Sequence, residues 1–334
     1  MTGRSRKKKS STRNDLPDPQ GMVAMLDEYL LWMQAANYAE RTIKNRKITL
    51  GYFISWCGAR GITRPSEVTR PIVERYQRWL YHYRKQNGQP LSFRSQYERL
   101  SPVRVFFKWL AKNNYILYNP ASELELPRRE KRLPRQVLTA SEAEAVLNQV
   151  DVFDPLGLRD RAILETLYST GMRRMELIGL KVYDLDMERG TVMIRQGKGR
   201  KDRMVPIGER AVLWIRKYLA DVRPSFATEP DNGTLFFTNY GESIKPNRLS
   251  DIVAHYVGEA NIGKRGSCHL FRHTMATLML EHGADIRFIQ QMLGHADLST
   301  TQIYTQVSIR KLKAIHAKTH PSARLKRKTK DREE

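Results

Sequence analysis

Four separate stretches of this sequence place basic, hydroxyl or imidazole side chains where they can act on a phosphate. In Tyr168-Ser-Thr-Gly-Met-Arg-Arg-Met-Glu-Leu177, Gly171 separates two helical patterns and Arg173 opens the second. Helix amides and a guanidinium would then face the same volume, although an arginine at a helix start is more often a surface or ion-pairing residue. Lys198 lies within Gln196-Gly-Lys-Gly-Arg-Lys-Asp-Arg203, at the tip of an expected hairpin. Its glycines would let an ammonium reach into a groove and give up a proton, and a generic basic turn is the plain alternative. Cys268-His-Leu-Phe-Arg-His273 sets His269 and Arg272 three apart and His269 and His273 four apart, on one helical face. Zinc is a poor reading of that pair, because no acidic partner follows the HExxH arrangement and Arg272 would repel a cation. Finally, Leu293-Gly-His-Ala-Asp-Leu-Ser-Thr-Thr-Gln-Ile-Tyr-Thr305 puts His295 after a glycine and Tyr304 in a polar helical stretch.

The chain that must position these residues has 334 residues, enough for two domains. It carries 58 Lys plus Arg against 35 Asp plus Glu, a net charge of +23 that calls for a polyanionic partner. Nucleic acid is preferred to a membrane, since no apolar run approaches the ~18 residues that would span a bilayer. Cys57 and Cys268, the two cysteines, are too few and too far apart for a disulfide framework or a cysteine-based metal site, so both read as reduced thiols. The basic run from Arg4 to Lys9 has no apolar segment behind it, which argues against a secretory signal and for the cytoplasm or nucleoid.

Residues 1–20 read as a disordered basic arm. Apolar residues at three- and four-residue steps then predict four helices: Met22, Met25, Leu26, Tyr29, Leu30 and Met33; Ile43, Ile48, Tyr52, Phe53 and Trp56; Ile72, Val73, Tyr76 and Leu80; Val103, Phe106, Phe107 and Leu110. Together they make a small bundle over 21–118, whose outer faces carry Arg41, Lys44, Arg46, Lys47, Arg94, Arg104 and Lys108. Pro120, Pro127 and Pro134 among charges mark 119–137 as a semi-rigid basic linker. The Thr139-x-x-Glu142 spacing of a capping box opens a second, mostly helical domain over 138–318. Thr191–Ile194 and Met204–Ile207 flank a Gly- and charge-rich turn and predict a β-hairpin, and 319–334 form a basic tail.

Taken in order, the blocks TGMRRMEL (170–177), GKGRKDRMVP (197–206), HLFRH (269–273) and LGHADLSTTQIYT (293–305), with NPASELELP (119–127), resemble the tyrosine recombinase, or phage integrase, family, and its bacterial Xer branch in particular. The resemblance spans roughly residues 22 to 318. It implies a mainly α protein: an N-terminal SAM-like core-binding bundle, then a mixed, mostly helical catalytic domain with a small β-hairpin or sheet. It further implies that Tyr304 is the nucleophile, Arg173 and Arg272 the phosphate-binding arginines, and Lys198 the general acid, with His269 and His295 moving protons and orienting the phosphate. The implied reaction is site-specific recombination of double-stranded DNA through a 3′-phosphotyrosine, without metal, cofactor or ATP.

The family also implies a tetramer on two sites, of one chain or of two alternating recombinases, with an accessory protein as a further partner. The segment from Val307 to His316 would dock on a neighbouring subunit or pack in cis. Two features depart from the pattern: Arg174 stands where relatives usually have a small or apolar residue, and the basic arm precedes the bundle. The rival readings are a topoisomerase-like relaxing enzyme with the same nucleophile, and a catalytically silent DNA-binding regulator of the same fold.

Overall fold

The computed structural model describes residues 18–128, 136–195 and 202–294, and the chain divides into two compact units, Met1–Lys131 and Arg132–Glu334. The N-terminal unit is built from α1 (Met22–Ala35), α2 (Glu40–Gly58), α3 (Arg70–His82) and α4 (Phe93–Lys112). These are the four helices that the apolar spacing predicts. Each turns one stripe inward, and Tyr29, Phe53, Tyr76, Phe106 and Phe107 fill the centre without solvent access worth counting. Their rings meet at tilted or edge-on angles, as between Phe53 and Tyr76 with centroids 5.0 Å apart, the arrangement that ring quadrupoles favour.

On α2 the buried stripe runs through Leu50, Phe53, Trp56 and Cys57. Ile48 and Tyr52, placed on that face by spacing alone, are each 49% exposed. A helix of 19 residues presents a narrower seam than its apolar count suggests, and Tyr52 instead lies under the Arg99 guanidinium, 4.6 Å from its ring centroid. Arg41, Lys44, Lys47, Arg94, Arg104 and Lys108 are exposed, whereas Arg46 is half-buried. Beyond α4 the chain still serves this unit, for Ala121 and Leu124 are buried in its core and the Gln77 amide donates to the Glu125 carbonyl at 2.9 Å.

The second unit opens at the expected capping box: Thr139 Oγ1 accepts from the Glu142 amide at 3.2 Å, and the Glu142 carboxylate accepts from the Thr139 amide at 2.7 Å. Helices α5 (Ala140–Leu147), α6 (Pro155–Thr170) and α7 (Arg174–Ile178) precede a three-stranded antiparallel sheet of β1 (Leu185–Asp186), β2 (Thr191–Ile194) and β3 (Arg203–Pro206). Thr191 pairs with Pro206 and Ile194 with Arg203, so the predicted hairpin forms, its second strand one residue earlier than Met204–Ile207 and one further short strand on its edge. There follow α8 (Glu209–Asp221), the single turn α9 (Arg223–Phe226), α10 (Pro246–Glu259), α11 (Cys268–Glu281) and α12 (Ile286–Leu293).

Helix α6 is the axis of this unit and is buried nearly all round, against α8 on one side and α11 on another. Its charged residues are therefore paired inside: Arg159 with Asp160 at 2.6 Å, and Glu165 with Arg161 at 3.0 Å and with Arg210 at 2.9 Å. Burying such charges in a low-dielectric interior is costly unless each faces its opposite. Among the described residues, no helix is long and apolar enough to cross a membrane.

Candidate active site

The centre of the second unit's chemistry is a turn that only glycine can make easily. Gly171 ends α6 at φ +59°, and a Cβ there would stand 2.0 Å from Met275 Cε. The reversal brings Arg173 to the N-cap of α7, where the Glu176 carboxylate accepts from the Arg173 backbone amide at 2.7 Å and from its Nη1 at 2.7 Å. Glu176 is gripped a second time by Arg203, which donates from Nη1 at 2.9 Å and Nη2 at 2.7 Å in a forked pair. Burial alone would raise the Glu176 carboxyl, yet the hydrogen bonds from Arg203 and Arg173 outweigh it and hold it at about 2.

The far wall is the end of α12. Arg203 Nε donates to the Met292 carbonyl at 3.0 Å, Arg272 Nη2 to the Leu293 carbonyl at 2.7 Å, and Arg173 Nη2 to the Gly294 carbonyl at 3.0 Å. Three consecutive carbonyls at a helix C-terminus, which the helix itself cannot satisfy, are thus each taken by a guanidinium. Arg272 is 4% exposed and spends its Nη1 on the Gly171 carbonyl at 2.7 Å, which ties α11 to the glycine turn. Gly294 closes α12 at φ +60°, and a Cβ there would press on the Arg203 guanidinium at 3.0 Å.

His269 sits one position into α11 with an exposed edge. Partial desolvation and then the positive charges of Arg272, Arg174 and Arg173 lower its pKa from the ordinary 6.5, so the ring is neutral at neutral pH. His273, more enclosed, is pushed down to about 4 by burial and by His269, whose ring centroid is 6.5 Å away. Cys57 and Cys268 are buried and unbridged, with burial raising them to about 12 and about 11, so neither is a ready thiolate.

Of the residues singled out in the sequence, Arg173, His269 and Arg272 gather at this centre, while Lys198, His295 and Tyr304 lie outside the described residues. Spacing alone overlooked Arg203. Its signal was strand alternation: Arg203 shares a face with buried Val205, and a charge on an inward face needs an acid, which Glu176 supplies. Of the adjacent arginines, Arg173 turns to Glu176 and Gly294, whereas Arg174 turns to α10.

A helical bundle followed by a mostly helical unit with a small sheet and an arginine-lined centre defines a class, and comparison with known proteins specifies it. The model of the phage integrase family matches residues 136–310, and that of the phage integrase N-terminal SAM-like domain matches residues 25–117. The chain is similar to tyrosine recombinase XerC 2 of Ralstonia nicotianae, 52% identical over 87% of this chain and 83% of that one. It is also similar to tyrosine recombinase XerD of Pseudomonas aeruginosa, 36% identical over 89% and 97%. Among solved structures, XerH site-specific recombinase bound to palindromic difH substrate matches with a TM-score of 0.68 and 22% identity over 87% and 83%, a likeness of fold. The chain belongs to the phage integrase family, as an Xer-like tyrosine recombinase that carries out site-specific recombination of DNA.

Proposed function

We propose that the reaction proceeds by attack of the Tyr304 phenol on a DNA phosphate, with the phosphorus bound to tyrosine as the bond to the leaving 5′ oxygen breaks. The observation that carries this reading is the convergence of Arg173 and Arg272 beside a neutral His269, in a unit whose family model extends through Tyr304. Negative charge grows on the nonbridging oxygens during attack, and two forked guanidiniums already fixed by backbone carbonyls meet it with little rearrangement.

A phenol with an ordinary pKa near ~10 must lose its proton as it attacks, and His269 is in the state to take it. Lys198 protonates the leaving oxygen and His295 orients the phosphate, the roles that the matching motifs give them. The phosphotyrosine keeps the energy of the broken bond, so a free 5′ hydroxyl from another strand reverses the step without ATP. Strand exchange takes place in a tetramer on two sites, of this chain alone or with a second recombinase.

The test is to incubate wild type and Tyr304→Phe with nicked duplexes drawn from the gene's own surroundings and to look for denaturant-resistant protein–DNA adducts. An adduct with wild type alone is the expected result. An adduct that persists with Tyr304→Phe moves the nucleophile elsewhere. Salt-sensitive binding with no adduct from either protein favours the silent-regulator reading.

A further inference from the structure

Arg174, next to Arg173 in the chain, is a charged residue that the reaction scheme leaves unused and that Glu176 does not hold. It is half-buried, and its Nη1 donates to Ser250 Oγ at 2.6 Å, while that hydroxyl in turn donates to the Pro246 carbonyl at 3.2 Å. Within the described residues it makes no ion pair, although Arg173 and Arg203 beside it share Glu176. A guanidinium has five N–H donors, and a neutral hydroxyl uses only one. A surface-tethering role would be served as well by a neutral side chain, whereas a partly desolvated positive charge without a carboxylate is costly unless an anion arrives.

The direction in which Arg174 points adds to this. It reaches the first turn and a half of α10, a helix of 14 residues whose N-terminal end also carries the exposed Lys245, Asn247 and Arg248. Free amides at that end attract the same kind of ligand. Arg174 therefore lies between the arginines placed on the reacting phosphate and a second positive surface.

We propose that Arg174 binds a backbone phosphate of the DNA next to the one held by Arg173 and Arg272, with Ser250 fixing the guanidinium for that contact. The proposal rests on the recombinase reading and goes beyond it, since none of the roles given to the motif residues includes Arg174. The contact is independent of base sequence. It sets how strongly the catalytic unit is held to the duplex, not which site is chosen.

The experiment measures affinity for a short linear duplex of mixed sequence at several salt concentrations, roughly 50 to 200 mM, using full-length wild type, Arg174→Leu, Arg174→Lys and Ser250→Ala. Each phosphate contact contributes about 0.9 to the slope of log K against log salt. The expected result is that Arg174→Leu flattens the slope by about that amount, while Arg174→Lys and Ser250→Ala, which keep the charge, retain the wild-type slope. An unchanged slope in Arg174→Leu overturns the proposal, as does Ser250→Ala matching Arg174→Leu, which would make the pair a bridge between α7 and α10 only. Thermal melts identify a variant that has unfolded; should Arg174→Leu be one, Arg174→Gln, which loses the charge but keeps a donor for Ser250, takes its place and must flatten the slope equally, an unchanged slope again overturning the proposal. A wild type that binds duplex with no salt dependence would instead strike at the recombinase reading itself.

Discussion

At the scale of single residues, Glu176 organises the centre. Its folded pKa, about 2, lies below the ordinary 4.5, so its contribution is fully present above pH 4.5 and is lost as pH falls through about 2. With the side chain 5% exposed, that contribution is on the order of 3 kcal/mol. Glu176→Gln should remove it at neutral pH and leave two half-buried guanidiniums without a counter-charge, seen as a lower urea midpoint whose acid dependence between pH 4.5 and 2 is flatter than wild type. His273 works in the same sense in a higher pH window. Because it is depressed from 6.5 to about 4, the unfolded chain binds the proton first, and stability should fall as pH drops through that window. His273→Gln should blunt the fall. For catalysis, Arg272→Ala should slow adduct formation by about two to three powers of ten, by analogy with the loss of one oxyanion donor, and single-turnover cleavage would measure it.

Elements decide whether those residues meet. Gly171 and Gly294 both hold positive φ at helix ends, and both lie against groups of the centre. Gly171→Ala should cost about 1–2 kcal/mol for the left-handed backbone and more for displacing Met275, and a melting curve would report it alongside loss of cleavage. Motif spacing exposed local features well: the capping box at Thr139, the presence of the hairpin and the three-residue step from His269 to Arg272 all follow from local sequence pattern. What spacing could not expose was contact between distant stretches. Arg203 and Glu176 are 27 residues apart, and Arg173 and Gly294 are 121 apart. The buried pairs on α6 were hidden for a related reason, since charges every few residues along a helix read as a solvated face until a second layer covers them.

At the scale of the whole molecule, the described residues form three buried clusters: one aromatic-rich in the first unit, and in the second a large one assembled around α6 and a small one of α11 and α12 that includes Met275, Ile289 and Leu293. We expect a fragment of residues 18–128 to fold alone, giving helical circular dichroism and a cooperative thermal transition, because its core cluster among the described residues is assembled from Met22 to Leu126. A fragment that stays unfolded would show that the units depend on each other. The net charge of +23 was the most direct pointer to a nucleic-acid partner, and it remains a statement about attraction rather than about fold. The use of Ala121 and Leu124 in the first core was not legible in the sequence, since two isolated apolar residues carry no period.

If Arg173 and Arg272 hold the DNA phosphate as proposed, the three guanidiniums on the last carbonyls of α12 make DNA binding and helix order parts of one equilibrium. Arg173 and Arg272 hold α12 and, in the proposed mechanism, a phosphate as well, so a ligand that favours their present arrangement would stabilise the end of that helix by the same free energy with which the ordered helix favours the ligand. Hydrogen exchange at the amides of Gln290 to Gly294 should therefore slow when duplex is added. The same amides should exchange faster in Arg203→Met, even without DNA. A change in that exchange rate would report occupancy of the centre before any bond in the DNA is broken.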